Sequence, residues 1–216
     1  MGLFYKSKLN ELENKLFEVE STLEQWDYWA NLPISDEIVN KANEVRFDDE
    51  IIKEYKKKSN GRKIKWWKDS SKGIGGSINL LKMESMFEKD IAIIDELKVN
   101  EYLDKDLEFF RAIDIPSMNE EVGFFMIPDK KPTIDIYYRL AGENVSSLDL
   151  NFKGYLEMAF ESKVYAYWQK VLVDIQDNEA SPEVIIFKEN MPKIFNDFSW
   201  EAFVEKYESL RLSKQK

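Results

Sequence analysis

Thr133-Ile134-Asp135-Ile136-Tyr137-Tyr138-Arg139-Leu140 alternates with the period of an extended chain: Ile134, Ile136, Tyr138 and Leu140 share one face, Asp135 and Arg139 the other. Such alternation suits an antiparallel sheet with one face on a core and one in water. Working outward, the same chemistry recurs in Lys63 to Trp67, Ser77 to Lys82, Leu107 to Ile113, Val122 to Ile127 and Val145 to Leu150. Each run is short, rich in aromatic and β-branched residues, and bounded by turn residues. Pro128-Asp129-Lys130-Lys131-Pro132 and Ala141-Gly142-Glu143-Asn144 read as hairpin loops, so the last four of these six strands form a meander.

On both sides of this block the period becomes helical. Leu9, Leu12, Leu16, Leu23 and Trp26 predict an amphipathic helix from Lys6 to Trp29, broken at Leu32-Pro33. Ser35 is a candidate N-cap, with Ile34 and Val39 as a hydrophobic staple, and helical patterning continues to Asn60-Gly61. Phe152, Leu156, Phe160, Val164, Trp168, Val171 and Ile175 predict one helix of about 25 residues. Ser181-Pro182 opens a shorter helix that Met191-Pro192 stops, and Ser199 caps a last one stapled by Phe198 and Phe203. The expected fold is α+β: a single domain over residues 1–216, with an antiparallel or mixed sheet of about six strands flanked by N-terminal and C-terminal helices.

Composition excludes several chemistries. The 216 residues contain no histidine and no cysteine, so Ser-His-Asp and Cys-His nucleophiles, zinc sites of the usual ligands and disulfides are all out of reach. A charge switch between pH 6 and 8 is not expected either. The start, Met1 to Ser7, has no signal-peptide core and no later run approaches a membrane span, so the expected location is cytoplasmic. Gly73-Ile74-Gly75-Gly76-Ser77 lacks the Lys-Ser/Thr ending and the following helix of a phosphate loop, and reads as a turn. Asp48-Asp49-Glu50, Glu120-Glu121 and Asp104-Lys105-Asp106 have no metal-ligand spacing. No catalytic residue, cofactor or metal is expected.

Charge is unevenly spread around a net of −10. Lys53 to Lys72 holds nine basic residues against Glu54 and Asp69. With Trp66 and Trp67 beside Lys63 and Lys65, that segment is a candidate single-stranded nucleic-acid surface; the plainer reading is an edge strand protected by lysines. The net negative charge makes nucleic acid the weaker alternative. Between Ile91 and Glu161 there are fifteen acids and seven basic residues, a distribution that steers a basic protein partner. Glu120, Glu121, Asp129, Asp135 and Glu143, around the meander, are the candidate partner-binding residues.

The order of elements carries a resemblance. Leu32-Pro33, a helix running through Tyr55 to Asn60-Gly61, Gly76-Ser77-Ile78-Asn79-Leu80-Leu81-Lys82-Met83-Glu84, and Leu148-Asp149-Leu150-Asn151-Phe152-Lys153-Gly154-Tyr155-Leu156 together resemble the SUKH superfamily. Tyr165-Ala166-Tyr167-Trp168-Gln169-Lys170, Met191-Pro192-Lys193-Ile194-Phe195 and Trp200-Glu201-Ala202-Phe203 resemble its larger Bacteroidetes-type members. Arg62 stands where a second glycine often follows. The resemblance implies a bacterial immunity protein that binds and blocks a cognate toxin domain, often a nuclease, without catalysis. Relatives that act as protein-interaction scaffolds imply a non-toxin partner as the alternative.

Overall fold

The structure is a computed structural model that describes residues 4–27, 34–57, 61–130 and 134–215. Among them seven strands form one open antiparallel sheet in simple chain order: β1 (Thr22–Asp27), β2 (Arg62–Asp69), β3 (Ile74–Leu80), β4 (Phe110–Ser117), β5 (Glu120–Phe125), β6 (Tyr137–Leu140) and β7 (Ser146–Ser147). The meander therefore runs across the whole sheet, and α+β describes the fold. The helices are α1 (Phe4–Glu18), α2 (Asp36–Glu44), α3 (Asp49–Lys57), α4 (Ile91–Val99), α5 (Phe152–Glu161), α6 (Trp168–Asp177), α7 (Pro182–Ile194) and α8 (Trp200–Leu210). None is long and apolar enough to cross a membrane. Leu32-Pro33, Asn60 and residues 131–133 lie outside the described residues.

Local sequence chemistry explains most helix starts. Ser35, Ser181 and Ser199 each accept a hydrogen bond from the backbone N–H three residues on, and Phe198 and Phe203 pack with ring centroids 5.9 Å apart. Pro192 lies inside α7 instead of ending it, because a proline forfeits one helical hydrogen bond and the buried Phe187, Met191 and Phe195 hold the helix onto the core.

Other expectations are corrected. The first helix ends at Glu18; Glu20 turns left-handed at φ 54°, and the chain returns as β1 paired with β2. β2 is thus an internal strand, not an edge. The expected strand over Val145 to Leu150 shrinks to two residues because Asp149, at φ 54°, breaks the pleat, although Ile136 still exchanges backbone hydrogen bonds of 2.8 Å with Leu148 and Leu150. The segment from Leu107 opens as a 3-10 turn, Lys105–Phe109, and becomes strand only at Phe110. The expected strand over Thr133 to Leu140 is regular only from Tyr137.

The expected 25-residue helix is two helices. Between α5 and α6 the chain forms a strap, residues 162–167, with Lys163, Val164 and Tyr167 all left-handed. The strap lies against β3: the Ala166 N–H donates to the Gly75 carbonyl (2.9 Å), Gly76 bridges Tyr165, and the Trp66 indole N–H donates to the Lys163 carbonyl (2.8 Å). A Cβ on Gly76 would collide with the Val164 carbonyl and the Tyr165 backbone, so only glycine lets the two backbones meet.

The sheet has a core on each face. The larger, built on Ile64, Trp66, Ile78, Val122, Phe124 and Tyr138, is covered by α1, α3 and α5 through α8. On the other face α4 and the 3-10 turn cover β4 to β6 with a smaller cluster of Ile93, Leu103, Leu107, Phe110 and Ala112. That face is therefore not wholly wet.

Candidate functional site

Register brings three of the five candidate acids together. Glu120 pairs with Leu140 and Glu121 with Arg139, while the Ala141 N–H donates to the Asn119 carbonyl (2.9 Å), so the β4–β5 turn and the β6–β7 loop bearing Glu143 form one end of the sheet. Neighbouring residues on a strand point to opposite faces, and the two glutamates behave accordingly. Glu121 faces α4, where the Arg139 guanidinium, 1% exposed, binds its carboxylate (2.7 Å), the Glu96 carboxylate and the Glu143 carbonyl (3.1 Å). Glu96 also accepts from the Gly142 N–H (3.1 Å). Arg139 is thus the pin that fixes α4 to the sheet and to the loop.

Glu120 faces the larger core and is 5% exposed. Its carboxylate accepts from the Ser117 hydroxyl (2.9 Å) and the Tyr138 hydroxyl (3.1 Å), and no basic side chain among the described residues lies within ion-pairing distance of it. Burial pushes its pKa up, against those two hydrogen bonds. Beside it is a cavity of about 160 Å³ lined by Ser77, Ser117, Glu120, Tyr167 and Gln169, closed on one side by the strap.

Behind that cavity Asp114 is fully buried. It accepts from the Tyr155 hydroxyl and from the Asn79 N–H (2.6 Å), so it satisfies a β3 amide at a junction where the two strands share one register pair. Gln169 donates to the Tyr155 hydroxyl (3.3 Å). Burial raises Asp114 to about 7, which corrects the expectation that nothing here titrates between pH 6 and 8.

The rim of this end is exposed and mixed. Met118, at the tip of the β4–β5 turn, is 99% exposed, and Tyr102, after α4, is 89% exposed. The Asn144 side chain ties the two loops: it accepts from the Asp104 N–H (2.7 Å) and donates to the Tyr102 carbonyl (3.4 Å). Glu101, Asp104, Lys105 and Glu143 are exposed near Tyr102 and Asn144, and Tyr167 is exposed on the other face of the sheet. Little in the sequence marks Met118 or Tyr102 as exposed rim residues. α4 carries apolar residues on all sides, so no helical period marked it, and Asp90, which accepts from the Ala92 N–H (2.7 Å), was its one local signal.

The remaining two acids lie elsewhere. Asp129 is exposed, at φ 60°, in the β5–β6 connection at the opposite end of β5. Asp135 is half-buried beside Ser147, whose hydroxyl donates to it (2.8 Å), and burial raises its pKa. The idea of one exposed acidic surface made of all five residues is therefore corrected: burial takes Glu120, Glu121 and Asp135 out of bulk water, and topology sends Asp129 away. The basic segment divides similarly. Lys63, Lys65 and Trp67 lie on the face of β2 opposite the larger core, with Lys65 Nζ 5.9 Å from the Trp67 ring. Trp66, 1% exposed, packs edge-on against Phe195 at 5.7 Å and has no face left for stacking. Among the described residues no group of three or more acids is placed to hold a metal ion.

No family model, curated protein or solved structure matches this chain.

Proposed function

We propose that this chain is a non-enzymatic immunity protein of the cytoplasm that binds a cognate toxin domain and blocks it by occlusion, and that the loop end of the sheet makes the contact. The observation that carries this reading is the 99% exposed Met118 at the tip of the β4–β5 turn, with Tyr167 exposed on one face of this end of the sheet and Tyr102 on the other, among exposed charged residues that are mostly acidic: Glu101, Asp104 and Glu143 against Lys105. Large apolar side chains that serve no core, in a predominantly acidic setting, are the composition of a binding hot spot and its steering field. The SUKH-like order of elements supports the same reading, and a basic domain such as a nuclease fits the charge.

The test is coexpression of the tagged chain with the toxin domain encoded immediately upstream of it. Growth rescue together with co-purification of both chains is the expected result. The absence of both rescue and a complex would overturn the reading.

A further inference from the structure

The cavity beside Glu120 has a chemistry that neither fold nor rim requires. Three elements build it: β3 supplies Ser77, the β4–β5 turn supplies Ser117 and Glu120, and the strap with the first turn of α6 supplies Tyr167 and Gln169. At about 160 Å³ it holds one side-chain head group and not a small-molecule cofactor. Glu120 lines it, and the two neutral hydroxyls that donate to that carboxylate leave its charge without a cation. A carboxylate kept from water without a counter-charge is costly, and an incoming cation removes that cost. Tyr167, half-exposed and held left-handed at φ 59°, stands at the same opening and offers an aromatic ring to a cation.

We propose that this cavity is a socket for one basic side chain, an arginine or lysine, of the protein partner. Glu120 takes the cationic head group, Ser77 and Ser117 offer hydroxyl oxygens to its remaining N–H donors, and Tyr167 covers it. The exposed Met118 sits one residue past Ser117, so this apolar side chain adjoins the socket. The proposal rests on the protein-binding reading above for its partner, but the socket chemistry is testable alone.

The experiment titrates the full-length, isotopically labelled chain with agmatine, which carries an arginine-like guanidinium and a terminal ammonium, and separately with butylurea, a neutral analogue that lacks both charges, following backbone amide signals. Saturable millimolar shifts at Ser77, Ser117, Glu120 and Gln169 are expected with agmatine and not with butylurea. Glu120→Gln, which keeps an oxygen acceptor for one of the two hydroxyls and turns an amide N–H toward the oxygen of the other, is expected to weaken agmatine binding by about tenfold or more while the melting temperature changes little. Tyr167→Ser, a surface change, is expected to weaken it less. Shifts that are absent, spread over the surface, or equal for butylurea or in Glu120→Gln would overturn the socket. Agmatine binding without any toxin complex upholds the socket and overturns the immunity reading. A tight toxin complex indifferent to Glu120→Gln overturns the socket alone.

Discussion

Arg139 and Asp114 show how this sheet handles buried charge in two ways. Arg139 is paired with Glu96 and Glu121 on the α4 face, so removing its guanidinium leaves two carboxylates facing each other. Arg139→Ala is expected to cost about 3–5 kcal/mol in a denaturant titration, with loss of α4 protection in hydrogen exchange. Asp114 has no cation, and burial raises its pKa to about 7, so it is protonated in acid and ionises only near neutrality. A carboxyl whose folded pKa lies above its unfolded value stabilises fully below the unfolded value, near 4, and loses that contribution as pH rises through about 7. Asp114's own contribution, on the order of 4 kcal/mol, is therefore expected to be lost between about pH 4 and 7. Asp114→Asn, which keeps one oxygen acceptor for the Asn79 N–H and removes the titrating group, is expected to flatten that slope; an identical slope in the variant would show that Asp114 is not its source.

At the scale of elements, the strap between α5 and α6 determines where the site can form. Its backbone meets β3 at Gly76, so Gly76→Ala is expected to cost at least about 2–3 kcal/mol and to broaden amide signals from residues 162–167 before those of α8. The strap also shows what the sequence could not reveal. Phe160, Val164 and Trp168 keep helical spacing across the break, and neither glycine nor proline marks it; three left-handed residues are held there by contacts with a strand about ninety residues earlier in the chain. β1 is the same case, since Leu16 and Leu23 fit a helical repeat until β2 supplies a partner. By contrast, β2, β5, the serine caps and the Phe198–Phe203 staple were legible, because each depends on neighbours within a few residues. Of the site, Glu120, Glu121 and Glu143 were legible as members of the meander. Their burial was not, because α4 had no period to betray it and Arg139 looked like a wet residue.

For the whole molecule, two poles share one sheet: lysines and Trp67 on the open face of β2, and acids around the loop end beyond β5 and β6. A partner steered by the acidic pole is expected to associate more slowly as salt rises, whereas a nucleic-acid ligand would load the β2 face and leave the loop end unaltered. The most direct test is a calorimetric titration of the purified chain with the toxin domain proposed as its partner, run beside Met118→Asp combined with Tyr102→Asp. Both side chains are almost wholly in water, so the double variant is expected to melt at the same temperature as the parent. The account predicts a tight one-to-one complex that the double variant weakens by at least about thirtyfold. No complex at micromolar concentration, or one that the double variant forms equally well, would contradict it.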